Sequence, residues 1–272
     1  MAVTGTGTID DPYVVTTYAE LVEKASAFST YIKVGNDINI TDEYPDGDMP
    51  PLQVNSPIDG DGHVISNWYR TVGAELIAIT DDNYVNNLTI KNIYVTYDGN
   101  VISLPTNNAV WRFNNCKFSG YVSGWLYGGS KPYNHFKNCS FNIKSGNSDS
   151  GGNYYLMNSR CLNCYIHVHF TQNGGNGLWG NNAKVENSYI EVTADDSVKN
   201  TVTIGNFGAV TNCVIDSYLT TSQSLESYSS ADLSIVNVTH APNYTVSGKL
   251  ALVDDEHWLN TEYLASIGFN AG

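Results

Sequence analysis

Phe136-Lys137-Asn138-Cys139-Ser140-Phe141-Asn142-Ile143 holds one copy of a pattern that returns down the chain: an apolar residue, any residue, Asn, then a small or apolar residue. The pattern reads again at Ile90-Lys91-Asn92-Ile93, Phe113-Asn114-Asn115-Cys116, Cys161-Leu162-Asn163-Cys164, Val185-Glu186-Asn187-Ser188, Val210-Thr211-Asn212-Cys213 and Ile235-Val236-Asn237-Val238. A weaker copy is Ile65-Ser66-Asn67-Trp68, and successive asparagines lie 23 to 25 residues apart. A fixed period in this range marks a solenoid, in which each repeat buries its apolar face only against its neighbours.

Aligning on the Asn gives the local structure. Two residues before it stand Ile90, Phe113, Phe136, Cys161, Val185, Val210 and Ile235; three after it stand Val95, Phe118, Phe141, Ile166, Ile190 and Ile215. Polar residues such as Lys117, Ser140, His167 and Glu191 alternate with them. The segment after the Asn is therefore a strand with one buried face. The inward set is offset by three across the Asn, so the chain bends there. Asn tolerates the left-handed backbone such a bend needs, and stacked amides can bond to one another.

The Asn column with a small apolar residue after it resembles the asparagine ladder of right-handed parallel β-helices, the pectate-lyase-like solenoids. That resemblance covers about residues 60–245 and implies a ladder of Asn67, Asn92, Asn115, Asn138, Asn163, Asn187, Asn212 and Asn237. It implies an all-β, single-domain right-handed parallel β-helix: an N-terminal cap over 1–57, rungs over 58–245 and a C-terminal cap over 246–272. Both ends are similar to β-helix proteins encoded by bacteriophages and to bacterial surface proteins. The stretches are Gly7-Thr8-Ile9-Asp10-Asp11-Pro12-Tyr13-Val14-Val15, Ile58-Asp59-Gly60-Asp61-Gly62-His63-Val64-Ile65, and the tail from Asp254 to Phe269.

The caps have their own signals. Thr17-Tyr18-Ala19-Glu20 has the form of a capping box, and Leu21, Val22, Ala25 and Phe28 follow at helical spacing, which predicts an amphipathic helix plugging the open end of the rod. A polar, Pro-containing loop spans Asp42 to Pro51. Acids from Asp254 and Gly268 after the last apolar residue predict a second short helix.

Composition narrows the partners. The 272 residues carry a net charge of −14 with only 13 Lys and Arg, so neither nucleic acid nor an anionic membrane is an expected partner; the charge keeps an elongated rod in solution. No cationic-then-apolar leader and no long apolar run are present, so synthesis in the cytosol, signal-free exit and no membrane insertion are expected. Four of the five cysteines (Cys116, Cys139, Cys164, Cys213) share one repeat position, and we read them as reduced, buried apolar residues.

Chemistry on a stacked fold would lie in columns. A polygalacturonase-like site needs carboxylates on adjacent strands with a His and a basic residue nearby; a lyase needs carboxylates for Ca²⁺ and a basic residue. The acidic pairs Asp81-Asp82, Asp195-Asp196 and Asp254-Asp255 fall in loops or the tail and align with no other pair. Three residues before the Asn runs a basic stripe, Arg112, His135, Arg160 and Lys184, which parity places outside, where it suits an acidic glycan or protein. Tyr94, Tyr165 and Tyr189 stand outward two residues after the Asn, where aromatic rings can stack on sugars. His167 and His169 share a face without a local third ligand, and the loop glycines Gly151-Gly152 and Gly174-Gly175 precede no helix. No catalytic residue, metal or cofactor is assigned.

The expected function is that of a non-catalytic bacteriophage virion protein, on capsid or tail, in contact with other virion proteins and with host-surface polysaccharide. The resemblance adds a homotrimer, although no heptads enforce one. The alternatives are a lyase or hydrolase of acidic bacterial polysaccharide, which the fold permits but does not imply, and a fragment of a cell-surface adhesin.

Overall fold

The computed structural model describes residues 3–47, 49–71, 75–80, 82–96, 100–105, 109–124, 126, 133–146, 155–157, 159–172, 177–179, 183–205, 209–227, 234–237, 239, 243–248, 250–254, 260–267 and 269. Short strands stack in parallel into a right-handed-type β-solenoid. Among the described residues a nine-stranded and an eleven-stranded sheet run the length of the rod, and shorter sheets form the third side. Parallel pairing extends past both boundaries expected from the repeat. It begins where Tyr13–Val15 pairs with Ile32–Val34 and continues to Leu250–Val253, because the end segments stack without carrying the Asn tripeptide.

The core is a set of columns along the rod axis. Phe113 stacks on Phe136 with ring centroids 5.4 Å apart, and Phe118 on Phe141 at 5.0 Å. All five cysteines are free and buried. In four of them the thiol donates to a carbonyl of the preceding rung: Cys116 to Val85, Cys139 to Phe113, Cys164 to Phe136 and Cys213 to Val185. Burial pushes the Cys213 thiol up to about 12, so it stays protonated and packs as a small apolar residue.

From Asn87 on, the corner between the two long sheets is a single left-handed residue, and Asn67 and Asn92 share that conformation at a bend within the eleven-stranded sheet. Asn67, Asn87, Asn92, Asn115, Asn138, Asn163, Asn187 and Asn212 all have φ between 48° and 64°, a region in which a short polar side chain is tolerated. Their amides bond in two rows. In the first, Asn67 Nδ2 donates to Asn39 Oδ1 at 2.8 Å and Asn92 Nδ2 to Asn67 Oδ1 at 3.0 Å. In the second, Asn87 donates to Asp59, Asn115 to Asn87, Asn138 to Asn114, Asn163 to Asn138 and Asn212 to Asn187, at 2.8 to 3.2 Å.

Two corrections to the repeat follow. Phe113 pairs with Val85, and Ile90 with Phe118, so the counterpart of Asn115 is Asn87, in Val85-Asn86-Asn87-Leu88, and not Asn92. Asn92 and Asn67 mark a second bend further along the same strand, confined to the early rungs. The other correction concerns Asn237. The strand Ser234–Asn237 pairs with Val214–Ser217, which sets Asn237 opposite Asp216 within the sheet; its Oδ1 accepts the Thr239 N–H instead.

Gly120 is where the second bend ends. It lies opposite Ile93 across a register shift at φ 146°, and a Cβ there would fall on the Ile93 backbone. The ends close as expected in kind. Helix α1 (Tyr18–Ala25) has Thr17 and Glu20 in a reciprocal capping box and buries Tyr18, Leu21 and Ala25, although Phe28 lies beyond the helix and is exposed. Helix α2 (Thr261–Ser266) is capped by Asn260, and Leu264 and Phe269 pack on Ile235 and Val253; the expected acidic start at 255–259 lies outside the described residues.

Gly120→Ala is expected to lower the free energy of unfolding by about 3 kcal/mol, read from the denaturant midpoint. Gly62→Ala, at φ 82° with nothing within 4 Å of the added methyl, serves as the comparison and is expected to lose about 1 kcal/mol. Equal losses at the two sites would sink the close-approach account.

Candidate functional site on the outer face of the long sheet

Outward side chains of the long sheet form three rows. One runs Tyr69, Tyr94, Tyr121, Lys144, His169 and Thr193; its neighbours in register are paired rung by rung. A second contains Lys117, Ser140, Tyr165 and Tyr189, and a third Ser119, Asn142, His167, Glu191 and Asp216. The three tyrosines read as one column from sequence therefore belong to two, since Tyr94 is counted from the second bend.

The tyrosines are not open platforms. Tyr94 has a ring on each face: Tyr69 at 5.2 Å between centroids and 3° between planes, and Tyr121 at 5.4 Å and 28°. Gly47 lies against the Tyr69 ring, and a Cβ on Gly146 would meet the Tyr121 hydroxyl. Tyr165 and Tyr189 stack at 5.5 Å, each covering a face of the other. Tyr94 therefore presents its edge and hydroxyl outward, while Tyr165 and Tyr189 each have one face covered by the other.

The hydroxyls reach along the rod to acids one rung on. Tyr165 Oη donates to Glu191 Oε2 at 2.9 Å and Tyr189 Oη to Asp216 Oδ2 at 3.3 Å. Burial and the adjacent carboxylates push both phenols up, so they remain donors. His169 bridges Thr193 Oγ1 at 2.9 Å and Asp195 Oδ1 at 3.1 Å, and His167 Nε2 lies 3.4 Å from the same Thr193 hydroxyl.

Glu191 and Asp216 are register partners on adjacent strands, and parallel strands stand about 4.8 Å apart. The register sets the two carboxylates in one row, with Asp216 buried at 6% exposure and Glu191 half-buried. Sequence reasoning missed this pair by searching for consecutive acids. Counting four residues on from Asn163, Asn187 and Asn212 would have found His167, Glu191 and Asp216 in one row. Of the consecutive pairs, Asp195 bonds His169, Asp196 pairs with Lys199 at 2.9 Å and Asp82 faces Arg112; Asp81 and Asp255 lie outside the described residues. The loop glycines 151, 152, 174 and 175 also lie outside them.

The basic stripe does not survive as a stripe. Arg112 and His135 are fully buried. Arg112 donates from Nη1 to the Asn83 carbonyl at 3.1 Å, with Nη2 3.7 Å from Asp82. It precedes the two-residue strand Phe113–Asn114, so strand parity does not reach it. His135 sits where the register shifts between Asn134 and Phe136, and such a bulge turns a side chain to the other face. Burial, with the Arg112 charge beside it, pushes the His135 imidazole down to about 3. Arg160 does face outward, clasped by Glu186 at 3.0 Å and Asn134 at 2.9 Å with its guanidinium 5.4 Å over the Trp111 ring. Lys184, its register partner, is exposed.

His135 makes stability pH-dependent in a stated sense. Its folded-state value is depressed, so the unfolded chain takes up the proton first. The contribution is complete above pH 6.5 and is lost as pH falls from 6.5 towards about 3. Between pH 6.5 and 4.5 the unfolding free energy is expected to fall with a slope approaching about 1.4 kcal/mol per pH unit, measured by urea titration. His135→Leu should flatten that limb; an unchanged slope in the variant would assign the acid sensitivity elsewhere.

No protein-family model matches the chain, and no curated protein does. A solved structure from Bacteroides ovatus, of a protein provisionally named an immunoglobulin A1 protease, is similar at 17% identity. Its TM-score is 0.45, with 93% of this chain and 80% of that one covered; a likeness this distant carries no argument about activity.

Proposed function

We propose that the protein is a non-catalytic structural component of a bacteriophage particle, a rod on capsid or tail that contacts other virion proteins and host-surface polysaccharide. The observation that carries the non-catalytic reading is the cross-rung bonding of the outer face. Glu191 and Asp216 each accept a tyrosine hydroxyl from the preceding rung, and His169 is held between Thr193 and Asp195. Groups tied in this way lock register, as polar networks do when their members are satisfied. The likeness of both ends to phage-encoded β-helices supports the particle setting. Mass spectrometry of purified particles from the source culture is expected to find this chain at structural copy number. Recovery of the chain solely in the particle-free fraction would refute the assignment.

One observation favours a second reading, a glycan hydrolase: the Glu191–Asp216 pair with His167 in its row. The two readings separate on turnover. Incubation with acidic bacterial polysaccharides is expected to release no new reducing or unsaturated ends. Release that disappears in Glu191→Gln would replace the structural reading with the enzymatic one.

A further inference from the structure

A cavity of about 500 Å³ opens beside the first row of asparagines, at the bend made by Asn67 and Asn92. It is lined by Thr41, Pro45, Asp46 and Gly47 from one loop and by Asn67, Tyr69, Asn92 and Tyr94 from the sheet. Its volume falls within the range of about 300–1,000 Å³ typical of small-molecule sites. We infer that this cavity binds one neutral or aminated saccharide unit of a surface glycan. The inference takes its ligand class from the glycan contact proposed above and does not depend on where the rod sits in a particle.

The lining chemistry selects the ligand. Among the described lining residues the polar groups are two side-chain amides, the hydroxyls of Thr41, Tyr69 and Tyr94, and one carboxylate, with no Lys, Arg or His. Neutral donors and acceptors at this density match a ring bearing several hydroxyls. The Asp46 carboxylate can accept from vicinal hydroxyls or take an ammonium group. An acidic sugar or a phosphate would meet Asp46 and the field of a chain with net charge −14, and is disfavoured on both counts.

The site is also built in advance, which lowers the ordering cost of binding. Asn92 Nδ2 is held by Asn67 Oδ1, and Asn67 Nδ2 by Asn39 Oδ1, so both amides have fixed orientations. Thr41 Oγ1 donates to the same Asn39 oxygen at 2.8 Å. Tyr94 is clamped between Tyr69 and Tyr121. On the loop side, Glu43 accepts the Ala19 N–H at the start of α1 at 2.9 Å, and Gly47 N–H bonds the Tyr44 carbonyl. Gly47 at φ 78° brings the backbone against the Tyr69 ring.

Saturation-transfer NMR on the full chain tests the site, with glucosamine, N-acetylglucosamine and glucuronate as probes. Transfer to both amino sugars and none to glucuronate is expected. Asp46 is exposed on its loop, so Asp46→Trp can fill the mouth without touching the core, and it should abolish transfer at unchanged thermal midpoint. Asp46→Asn should weaken glucosamine about tenfold through loss of one charged hydrogen bond, and Ser197→Ala, in an exposed turn of a later rung, should leave binding intact. No transfer to either amino sugar, equal transfer to glucuronate, or transfer that survives Asp46→Trp would each overturn the inference. None of these results bears on particle location, so failure here and failure of the virion reading are told apart.

Discussion

The rod depends on one backbone requirement. From Asn87 to Asn212, each passage from the nine-stranded to the eleven-stranded sheet turns on a single asparagine at positive φ, and the columns of those rungs take their register from that point. Glycine would satisfy the dihedral, but it would add unfolded-state entropy and no contact. Asparagine satisfies it at a modest local cost and places an amide where the next rung places another. The bonds between them, 2.8 to 3.2 Å long, tie together residues about 25 apart in sequence. Side chains alternate with period two, so a slip of one residue would carry the Phe118, Phe141 and Ile166 column out to solvent. A short amide pair thus determines which residues form the core.

The same logic extends to the outer face. A parallel stack sets identical positions about 4.8 Å apart, close to the stacking distance of aromatic rings, so tyrosines in one column pack face to face as a consequence of rung spacing. A phenol in such a stack has its hydroxyl outward and can reach an acid one rung on, as Tyr165 does to Glu191 and Tyr189 to Asp216. Stacking and bridging both add cross-rung contacts to a fold whose rungs otherwise touch through backbone bonds and the core.

The solenoid was legible because its period is encoded in a residue with a conformational reason to be there. What misled was the assumption that each apolar-x-Asn tripeptide does the same job. Val85-Asn86-Asn87-Leu88 fits the pattern and occupies the corner, while Ile90-Lys91-Asn92 fits it five residues later and makes a different bend. Sequence spacing favoured the second because 23 residues looked regular, whereas the true step to Asn115 is 28. Asn237 fits the pattern too, yet sheet pairing rather than a corner decides its place. Arg112 and His135 were assigned outward by parity, a rule that holds within a strand and fails before one begins or across a bulge. The Glu191–Asp216 pair was hidden for the opposite reason. Its members are far apart in sequence, and only the register, counted from the right asparagine, brings them together.

The early rungs show why a cavity arises where the repeat is least regular. An ideal rung gives a flat outer face, and flat faces on a parallel stack fill with rings and hydrogen bonds that satisfy each other. Concavity needs a departure from the repeat. Here the second bend at Asn67 and Asn92 changes the direction of the strand before Tyr69 and Tyr94, and the 41–47 loop crosses beside it, leaving a cavity between them. Gly120 lies against the Ile93 backbone one rung on, where the register shift of the second bend ends. Recognition at this place has to work through ring edges, hydroxyls and amides, because Tyr94 already has a ring against each face. A ligand that offers many hydrogen-bonding groups suits such a wall better than one that needs a bare aromatic plane.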